Sequence, residues 1–213
     1  MSIPAESFED EFTRVFATET LSGTLVRLVG LSYGDAQCDE TDTAENSRTI
    51  SPELIFRQVR DSEEFLARHL PWVRGVTASE IAKRMRSWIF AEQYCQGGCW
   101  GILYEGSLGG FIMAEFNLKN RSATLSYWLL EKFTGKGLMT DAVKTLSAFC
   151  CDVLKLNRLE LSVSVRNEKS MAVASRAGFI EEGVLRDYEW INGSFVDHRR
   201  YSLLSRDSWK ILR

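Results

Sequence analysis

Apolar and polar positions along the chain change their period several times, and each period predicts a different element. Ser51 followed by Pro52 is a helix start signal, and we predict a helix from there to about His69. Thr77 and Glu80 have the spacing of a capping box, and the apolar residues behind them recur at the helical period. These two start signals therefore predict two helices after residue 50.

From residue 99 onward, the pattern changes to the two-residue period of strands. The alternation is cleanest over residues 158–165, which predicts a half-buried strand. The predicted strands are 24–29, 100–104, 109–117, 123–130, 158–165, 183–191 and 194–204, and the helices predicted among them are 136–154 and 168–177.

The order of these elements predicts an α/β fold with a mixed central β-sheet and helices on both faces. The compact pattern begins near residue 21, so we assign residues 1–20 to an N-terminal extension or linker helix, with a short acidic helix over 6–17. Residues 21–213 form one predicted domain. Residues 33–47 are polar and acidic and predict a solvated loop.

Composition narrows the classes of partner. The chain has 213 residues, of which 45% are hydrophobic, and a net charge of -3, so it lacks the excess of cations that nucleic acid or an anionic membrane requires. Its N-terminus has no signal-peptide pattern, and no apolar run reaches the roughly 18 residues of a membrane span. We therefore expect a cytoplasmic protein that binds neither nucleic acid nor membrane.

The five cysteines do not predict a metal site. They are odd in number, lack paired C-x-x-C spacing and have no histidine cluster beside them. Cys150 and Cys151 fall in an apolar helical stretch, where a free cysteine acts as a small hydrophobe. We expect buried, reduced thiols and no metal.

A glycine turn between a predicted strand and helix carries the strongest chemical signal. Gly135, Lys136 and Gly137 open directly into the amphipathic helix. Backbone N–H groups of such a turn, together with the helix N-terminus, can hold a pyrophosphate. A short glycine turn before a helix is, however, more often a plain strand–helix connection than an anion site. The turn also fits neither the P-loop pattern nor the three-glycine dinucleotide fingerprint.

The turn and its surroundings resemble the acyl-coenzyme A motif of the GNAT N-acetyltransferase superfamily, and residues from about 25 to 204 resemble its RimJ/RimL branch. The turn departs from the superfamily pattern at Thr134, where glutamine or arginine is usual, and at Met139, where glycine or alanine is common. The resemblance rests on these motifs in order: LPW (70–72), SYWL (126–129), FTGKGLMT (133–140), NRLE (157–160), NEKS (167–170), RAGF (176–179), EEG (181–183) and YSLL (201–204).

The resemblance implies a GNAT fold in which two parallel strands splay apart at an acetyl-CoA site, with acetyl-CoA as cosubstrate. Asn167 would bind the pantetheine arm from one side. The structural alternative is that Asn167 is a helix N-cap and Ser170 a first-turn serine, and neither would then need a ligand. From the other side, the arm would pair with Tyr127, Trp128 and Leu129, and the pyrophosphate would be held by Thr134, Gly135, Lys136, Gly137, Leu138, Met139 and Thr140.

By the same resemblance, Ser170 would bind the cofactor near its sulfur and donate a proton to the departing thiolate, and Glu189 would be the base for the amine. An α-amine with a pKa of about 8 is already partly neutral, so a modest base suffices. A solvated strand glutamate is the alternative for Glu189. Trp72 and Trp190 are candidates for acceptor binding, although core packing is the commoner role of tryptophan.

The two histidines are poorer candidates. We expect His69 to end a helix, where a cation suits the helix dipole. His198 follows Asp197 on the last strand, and we expect it in a surface or sheet pairing.

The predicted function is therefore acetyl transfer to a primary α-amine. The acceptor is either a protein N-terminus or a small aminoacyl-nucleotide, as in self-immunity acetyltransferases of the microcin C type, which would imply antibiotic resistance. A polyamine is a third choice if acidic residues line the cleft. A non-catalytic acyl-CoA sensor is the alternative from another class, and monomer and homodimer both stay open.

Overall fold

The computed structural model describes residues 7–9, 12, 16, 20–31 and 50–208. The predicted loop 33–47 lies outside the described residues, and the predicted helix 6–17 is described only in part. Positions 8, 9 and 12 are helical.

A single mixed sheet of eight strands organises the described residues. The strands are β1 (Leu21–Ser22), β2 (Arg27–Gly30), β3 (Gly97–Tyr104), β4 (Ser107–Asn117), β5 (Ser122–Leu129), β6 (Arg158–Ser164), β7 (Ile180–Ile191) and β8 (Ser194–Leu204). Their order in the sheet is β1-β2-β3-β4-β5-β6-β8-β7. Neighbouring strands are antiparallel except β5 and β6, which are parallel.

Helices cover the sheet on both sides. They are α1 (Pro52–Asp61), α2 (Glu63–Leu66), α3 (Ala78–Gln93), α4 (Leu138–Ala148), α5 (Glu168–Arg176) and α6 (Ser205–Ser208). Residues 97–103 of β3 are all buried, without the alternation of a half-exposed strand, so both faces of this strand are covered. The predicted α/β sheet with helices on both faces is confirmed. None of the described helices is long and apolar enough to cross a membrane.

The two parallel strands separate after a short paired stretch. Residues 122–124 of β5 pair with residues 158–160 of β6, and the pairing stops there. The remainder of β5, residues 125–129, keeps its partners only on the β4 side. The predicted splay is therefore confirmed, and it leaves backbone groups along one edge of β5 without a strand partner.

Hydrogen bonds confirm both predicted helix starts. The Ser51 hydroxyl accepts the N–H of Leu54 at 3.1 Å. Thr77 and Glu80 form the predicted capping box, in which each side chain binds the backbone N–H of the other. These local signals fix where α1 and α3 begin.

The predicted continuous helix over 51–69 is wrong beyond residue 61, because the chain breaks at Ser62. Ser62 has φ −115° and ψ 14°, and its N–H bonds back to the carbonyls of Val59 and Arg60. The Arg60 guanidinium then lies 3.0 Å from the Glu63 carboxylate. This break separates α1 from the short helix α2.

The predicted helix 136–154 begins at Leu138 and ends in a π-helical turn, Phe149–Val153. The Leu154 N–H donates to the Phe149 carbonyl, five residues earlier, at 3.0 Å. This spacing is one residue longer than in an α-helix and is typical of a π-helical turn. Cys150 and Cys151 are buried in this turn as predicted. Burial raises the pKa of the Cys150 thiol, which favours the uncharged form.

Two phenylalanines of the predicted extension belong to the core. Phe12 and Phe16 are 2% and 8% exposed. Their ring centroids lie 5.2 Å and 4.9 Å from that of Phe116 at the end of β4. The predicted domain boundary at residue 20 stays a prediction, but part of the extension packs on the sheet.

Ion pairs join β6, β7 and β8 at the end of β6 that lies away from the splay. Arg158 binds the carboxylates of Glu160 and Glu182, and the Ser202 hydroxyl also donates to Glu182. Glu182 is an extra residue in β7, since Glu181 and Gly183 take consecutive partners on β8. Hydrogen bonds from Arg158 and then Ser202 lower the pKa of Glu182 to about 2.

Replacing Glu182 with glutamine should lower the melting temperature at pH 7 by roughly 1–3 °C, a small change because solvent screens a side chain that is 38% exposed. The folded pKa of about 2 lies below the ordinary value of 4.5, so the stabilisation is complete above the ordinary value and is lost as the pH falls towards 2. Thermal unfolding followed from pH 7 to pH 2 measures this. The difference between the two proteins should shrink below about pH 5.

Glu115→Gln is the matched control, because Glu115 is an exposed glutamate on β4. A difference for Glu182→Gln that stays constant down to pH 2, or an equal effect of the control, would contradict the prediction.

Candidate active site

The glycine turn between β5 and α4 has the backbone geometry of an anion site. Gly135 and Gly137 both have φ +79°, in the left-handed region that favours glycine. No atom lies within 4 Å of a Cβ built at Gly135, so the space beside the turn is open. Gly137 is the N-cap of α4 and provides no side-chain cap, which leaves first-turn N–H groups for a ligand.

Most side chains of the turn are used locally. The Thr134 hydroxyl donates to the Glu131 carbonyl at 2.9 Å. Leu138 and Met139 are 1% and 7% exposed and pack in the core. Any contact that Leu138 and Met139 make with a pyrophosphate must therefore come from their backbone, as the sequence predicted for these two residues.

Two exposed cations flank the turn. Lys136 holds its ammonium 5.3 Å from the centre of the Tyr104 ring. Arg176 of α5 donates through Nε to the Thr140 hydroxyl at 3.2 Å, beside the first turn of α4. Arg176 is not among the predicted site residues, although it stands in one of the recognised motifs, RAGF.

Asp141 connects the turn to a distant part of the chain. Its carboxylate accepts three consecutive N–H groups, of residues 24–26, at 2.7–3.1 Å. A Cβ at Gly23 would lie 2.4 Å from a carboxylate oxygen of Asp141, so the close approach requires glycine. Leu25 is brought within 3.6 Å of a Cβ built at Gly137. The β1–β2 turn thus supports the glycine turn from the side.

The unpaired edge of β5 faces α5 across the splay. The Tyr127 hydroxyl donates to the Ser170 carbonyl at 3.3 Å, and burial raises the pKa of Tyr127 to about 12, so the hydroxyl keeps its proton. The Trp128 ring packs against that of Phe111, 5.2 Å between centroids. Leu129 is half-buried. These side chains fix β5 while its backbone edge stays accessible.

Asn167 begins α5 and holds Ser170. The Asn167 Oδ1 accepts the Ser170 N–H at 3.1 Å, and the Asn167 N–H donates to the Ser164 carbonyl at 2.8 Å. The N-cap interpretation is therefore confirmed. A ligand contact by either residue stays a prediction.

Glu189 lies beside His198. The His198 Nε2 is 3.2 Å from Glu189 Oε2, and the Glu189 side chain is 48% exposed. His198 is in the predicted sheet pairing, but it is buried at 5% exposure, and this burial lowers its pKa although the Glu189 charge raises it. In the described ranges, no group of three or more His, Cys, Asp or Glu side chains could hold a metal ion.

Cations collect near the C-terminal end of α2. Arg68 and Lys169 lie 5.8 Å and 5.4 Å from the centre of the Phe65 ring. The expectation that His69 ends a helix is wrong, because the helix ends at Leu66 and His69 lies in the turn that follows. Its pKa is lowered by burial and then by Arg68 and Lys169, so the neutral form is favoured.

The two candidate tryptophans lie on different elements. Trp72 carries the Arg84 guanidinium 4.3 Å above its ring. Trp190 is 59% exposed on the β7–β8 hairpin, whose Asn192 amide donates to the Ala67 carbonyl at 3.0 Å. No ring contact between Trp72 and Trp190 is present in the part of the chain that the structure describes. Their joint role in acceptor binding stays a prediction.

Comparison with known proteins identifies related sequences and structures. The acetyltransferase (GNAT) domain family matches residues 50–180. The putative ribosomal N-acetyltransferase YdaF of Bacillus subtilis (strain 168) is 44% identical over 108 residues, or 50% of this chain and 59% of that protein. The ribosomal-protein-serine acetyltransferase of Escherichia coli (strain K12) is 28% identical over 152 residues, or 70% of this chain and 84% of that protein.

A solved structure, the microcin C7 self immunity acetyltransferase MccE in complex with acetyl-CoA and AMP, is similar at a TM-score of 0.69. Its sequence is 26% identical, and the match covers 72% of this chain and 86% of that chain. For YdaF and two other curated Bacillus relatives, the match spans only about half of the relative's own length, from 48% to 59%.

Asp141→Asn should loosen the β1–β2 turn and with it the glycine turn. The amide loses the charge that strengthens three hydrogen bonds, and its N–H₂ group opposes the N–H donors, at a cost of about 1–3 kcal/mol. We expect a melting temperature lower by several degrees and a several-fold higher Kd for coenzyme A, measured by thermal unfolding and calorimetry.

Asp152→Asn, an exposed change in the π-helical turn at the other end of the same segment, is the control. Unchanged coenzyme A affinity in a destabilised Asp141→Asn protein would show that the contact serves folding alone.

Proposed function

Because this chain belongs to the acetyltransferase (GNAT) domain family, we propose that it transfers the acetyl group of acetyl-CoA to a primary α-amine. One observation carries the proposal: the open turn at Gly135 and Gly137 lies at the end of the unpaired edge of β5. A nucleotide pyrophosphate fits the turn, and an amide-bearing arm fits the strand edge. Coenzyme A combines these two chemical groups in one molecule.

The residues present fit acetyl-CoA along its length. Backbone N–H groups of the turn and of the first turn of α4 would bind the pyrophosphate, and Lys136 and Arg176 would offset its charge. Tyr127, Trp128 and Leu129 would bind the arm through their backbone, with Asn167 opposite. The bound cosubstrate supplies an activated thioester.

Two side chains would move the protons that the transfer requires. Glu189 would accept a proton from the acceptor α-amine, directly or through water, since only the uncharged amine is a nucleophile. Ser170 would donate a proton to the departing thiolate. Its position supports this role, because the Asn167 cap and the Tyr127 hydroxyl both hold its backbone beside the splay.

The charges near the splay favour a protein N-terminus over a polyamine as acceptor. Arg68 and Lys169 both lie close to Phe65, and a polycation would be repelled there. We expect an acceptor with a single amine and neutral or acidic groups behind it. We place the reaction in the cytoplasm, in agreement with buried free thiols such as Cys99.

A second candidate acceptor is an aminoacyl-nucleotide, which would make the protein a self-immunity enzyme. The groove between the Pro71–Val73 turn and α3 supports it, since Lys83 and Arg84 line it beside Glu80, and the Arg84 guanidinium, stacked on the Trp72 ring, offers a flat cationic surface. Such a wall suits a base and a phosphate. The similarity to MccE in complex with AMP agrees with this candidate.

Thiol release from acetyl-CoA tests the proposal with three acceptors offered separately: a Ser-starting peptide, an aspartyl-adenylate analogue and spermidine. We expect turnover with the peptide or the adenylate analogue and much less with spermidine. Fastest turnover with spermidine would overturn the charge argument. Binding of coenzyme A without thiol release for any acceptor would favour the sensor alternative.

Glu189→Gln and Ser170→Ala should each lower kcat, by about 10²-fold, and leave the affinity for acetyl-CoA within a few-fold of wild type. The reason is that each change removes a proton carrier and no part of the pyrophosphate site. Steady-state kinetics with varied acetyl-CoA separates the two parameters.

Glu115→Gln and Ser175→Ala are matched exposed controls, the second on the same helix as Ser170. Unchanged kcat in Glu189→Gln would remove Glu189 from the mechanism, and unchanged kcat in Ser170→Ala would remove Ser170.

A further inference from the structure

The hairpin of β7 and β8 contains an irregularity beside Glu189. Leu185 pairs with His198, and Glu189 pairs with Val196. Three residues of β7 therefore stand opposite the single residue Asp197 on β8. Bulges of this kind occur next to active sites, where they change the direction of a side chain.

The bulge is closed by a hydrogen bond of its own. The Asp187 N–H donates to the Asp197 carboxylate at 2.8 Å, and Asp187 has φ +49°. A left-handed aspartate costs some conformational energy, and the bond to Asp197 offsets it. The extra residues are thus held in one arrangement.

The bulge places Glu189 and His198 on the same face of the hairpin. Val196 and His198 are two residues apart and therefore share a face, and Glu189 lies directly opposite Val196. The resulting diagonal pair has 3.2 Å between His198 Nε2 and Glu189 Oε2. The centroid of the Tyr188 ring lies 4.8 Å from that of the imidazole, and the two ring planes are tilted by 42°.

The imidazole is a buried polar group without an aligned partner. Neither nitrogen of His198 has a well-aligned hydrogen bond to a described residue, and both are shielded from solvent, while the nearby Ser162 backbone acts with Glu189 to raise the pKa of the imidazole against the larger effect of burial. A buried, unsatisfied polar group costs roughly 1–3 kcal/mol. A small rotation of the exposed Glu189 carboxylate would align the contact and satisfy Nε2.

The pair is next to the splay. His198 pairs with Ser164, the last residue of β6, and the Ser164 carbonyl accepts the N–H of Asn167. Asn167 in turn caps the helix that carries Ser170. His198 is therefore connected to Ser170, the proposed proton donor, through the backbone of Ser164 and the cap residue Asn167.

We propose that His198 is a positioning residue, whose neutral imidazole donates from Nε2 to one carboxylate oxygen of Glu189 and turns the other oxygen to the acceptor amine. The proposal rests on the proposed role of Glu189 as the base. The proton passes from the amine nitrogen to Glu189, and His198 keeps its own proton.

A neutral donor suits this role better than a cation does. An arginine or lysine at 3 Å would hold the carboxylate equally well, but its charge would lower the proton affinity of Glu189 and weaken it as a base. Burial favours the uncharged imidazole of His198. The carboxylate is thus oriented without losing its basicity.

His198→Gln and His198→Asn form a matched pair of test variants, because both bury an amide. The glutamine N–H₂ reaches the place of Nε2, whereas the asparagine N–H₂ reaches only the place of Nδ1. We expect His198→Gln to keep kcat within about threefold of wild type and His198→Asn to lower it about tenfold or more. The KM for acetyl-CoA should stay within twofold in both.

Each variant is also made in the Glu189→Gln background. If His198 acts through Glu189, then His198→Asn should cause no further loss there, because effects on one pathway are not additive. A further tenfold loss in the double variant, or equal kcat for His198→Gln and His198→Asn, would overturn the proposal. Thermal unfolding of each protein checks that the fold is intact.

The failure of this inference can be told from failure of the proposed function. If Glu189→Gln alone is as active as wild type, then Glu189 is not the base and the positioning role falls with it. If Glu189→Gln is slow but His198→Asn is not, only the positioning role is wrong, and the proposed base stands.

Discussion

The early separation of β5 from β6 is the constraint on which the rest of the site depends. Parallel strands that stop pairing leave N–H and C=O groups with no partner inside the sheet, and such groups must be satisfied by something else. In this chain α4 and α5 begin on the two sides of the gap, and Tyr127 joins its sides through the Ser170 carbonyl. The gap therefore keeps its width while its edge stays available for a ligand that carries amides.

The walls of the gap are held by contacts between distant parts of the sequence. Asp141 binds the backbone of residues 24–26, more than a hundred positions earlier. Asn192 at the far hairpin binds the carbonyl of Ala67. These contacts join the β1–β2 turn to α4 and the β7–β8 hairpin to α2. The β1–β2 turn and the β7–β8 hairpin thus support the two sides of the site, although neither contains a residue predicted to bind the cofactor.

Local signals in the sequence predicted the parts of the fold that local interactions determine. Thr77 and Glu80, or Gly135 and Gly137, act within a few residues of their own position, and the predicted capping box and the predicted tight turn before a helix are both present in the structure. The break at Ser62 was missed, since helix propensity carries no sign of it.

The same limit explains what was missed in the site. The contact between Glu189 and His198 depends on a bulge in strand pairing, and the support from Asp141 depends on a turn far away in sequence. No periodicity or motif spacing encodes either arrangement. The predicted roles of Ser170 and Asn167 come from the family resemblance, and those of the tryptophans come from the stacking ability of an aromatic ring. The structure gives the positions of these residues but does not assign their chemistry.

The aromatic cluster at the edge of the core has a practical consequence for shortening the chain. Phe12 and Phe16 cover Phe116, and Phe8 packs on Phe12 in turn. A version trimmed to Leu21, where the compact sequence pattern starts, would uncover an aromatic surface beside the end of β4. Exposed patches of this kind promote self-association, so a trimmed protein would self-associate through a surface at the end of the sheet away from the proposed catalytic residues.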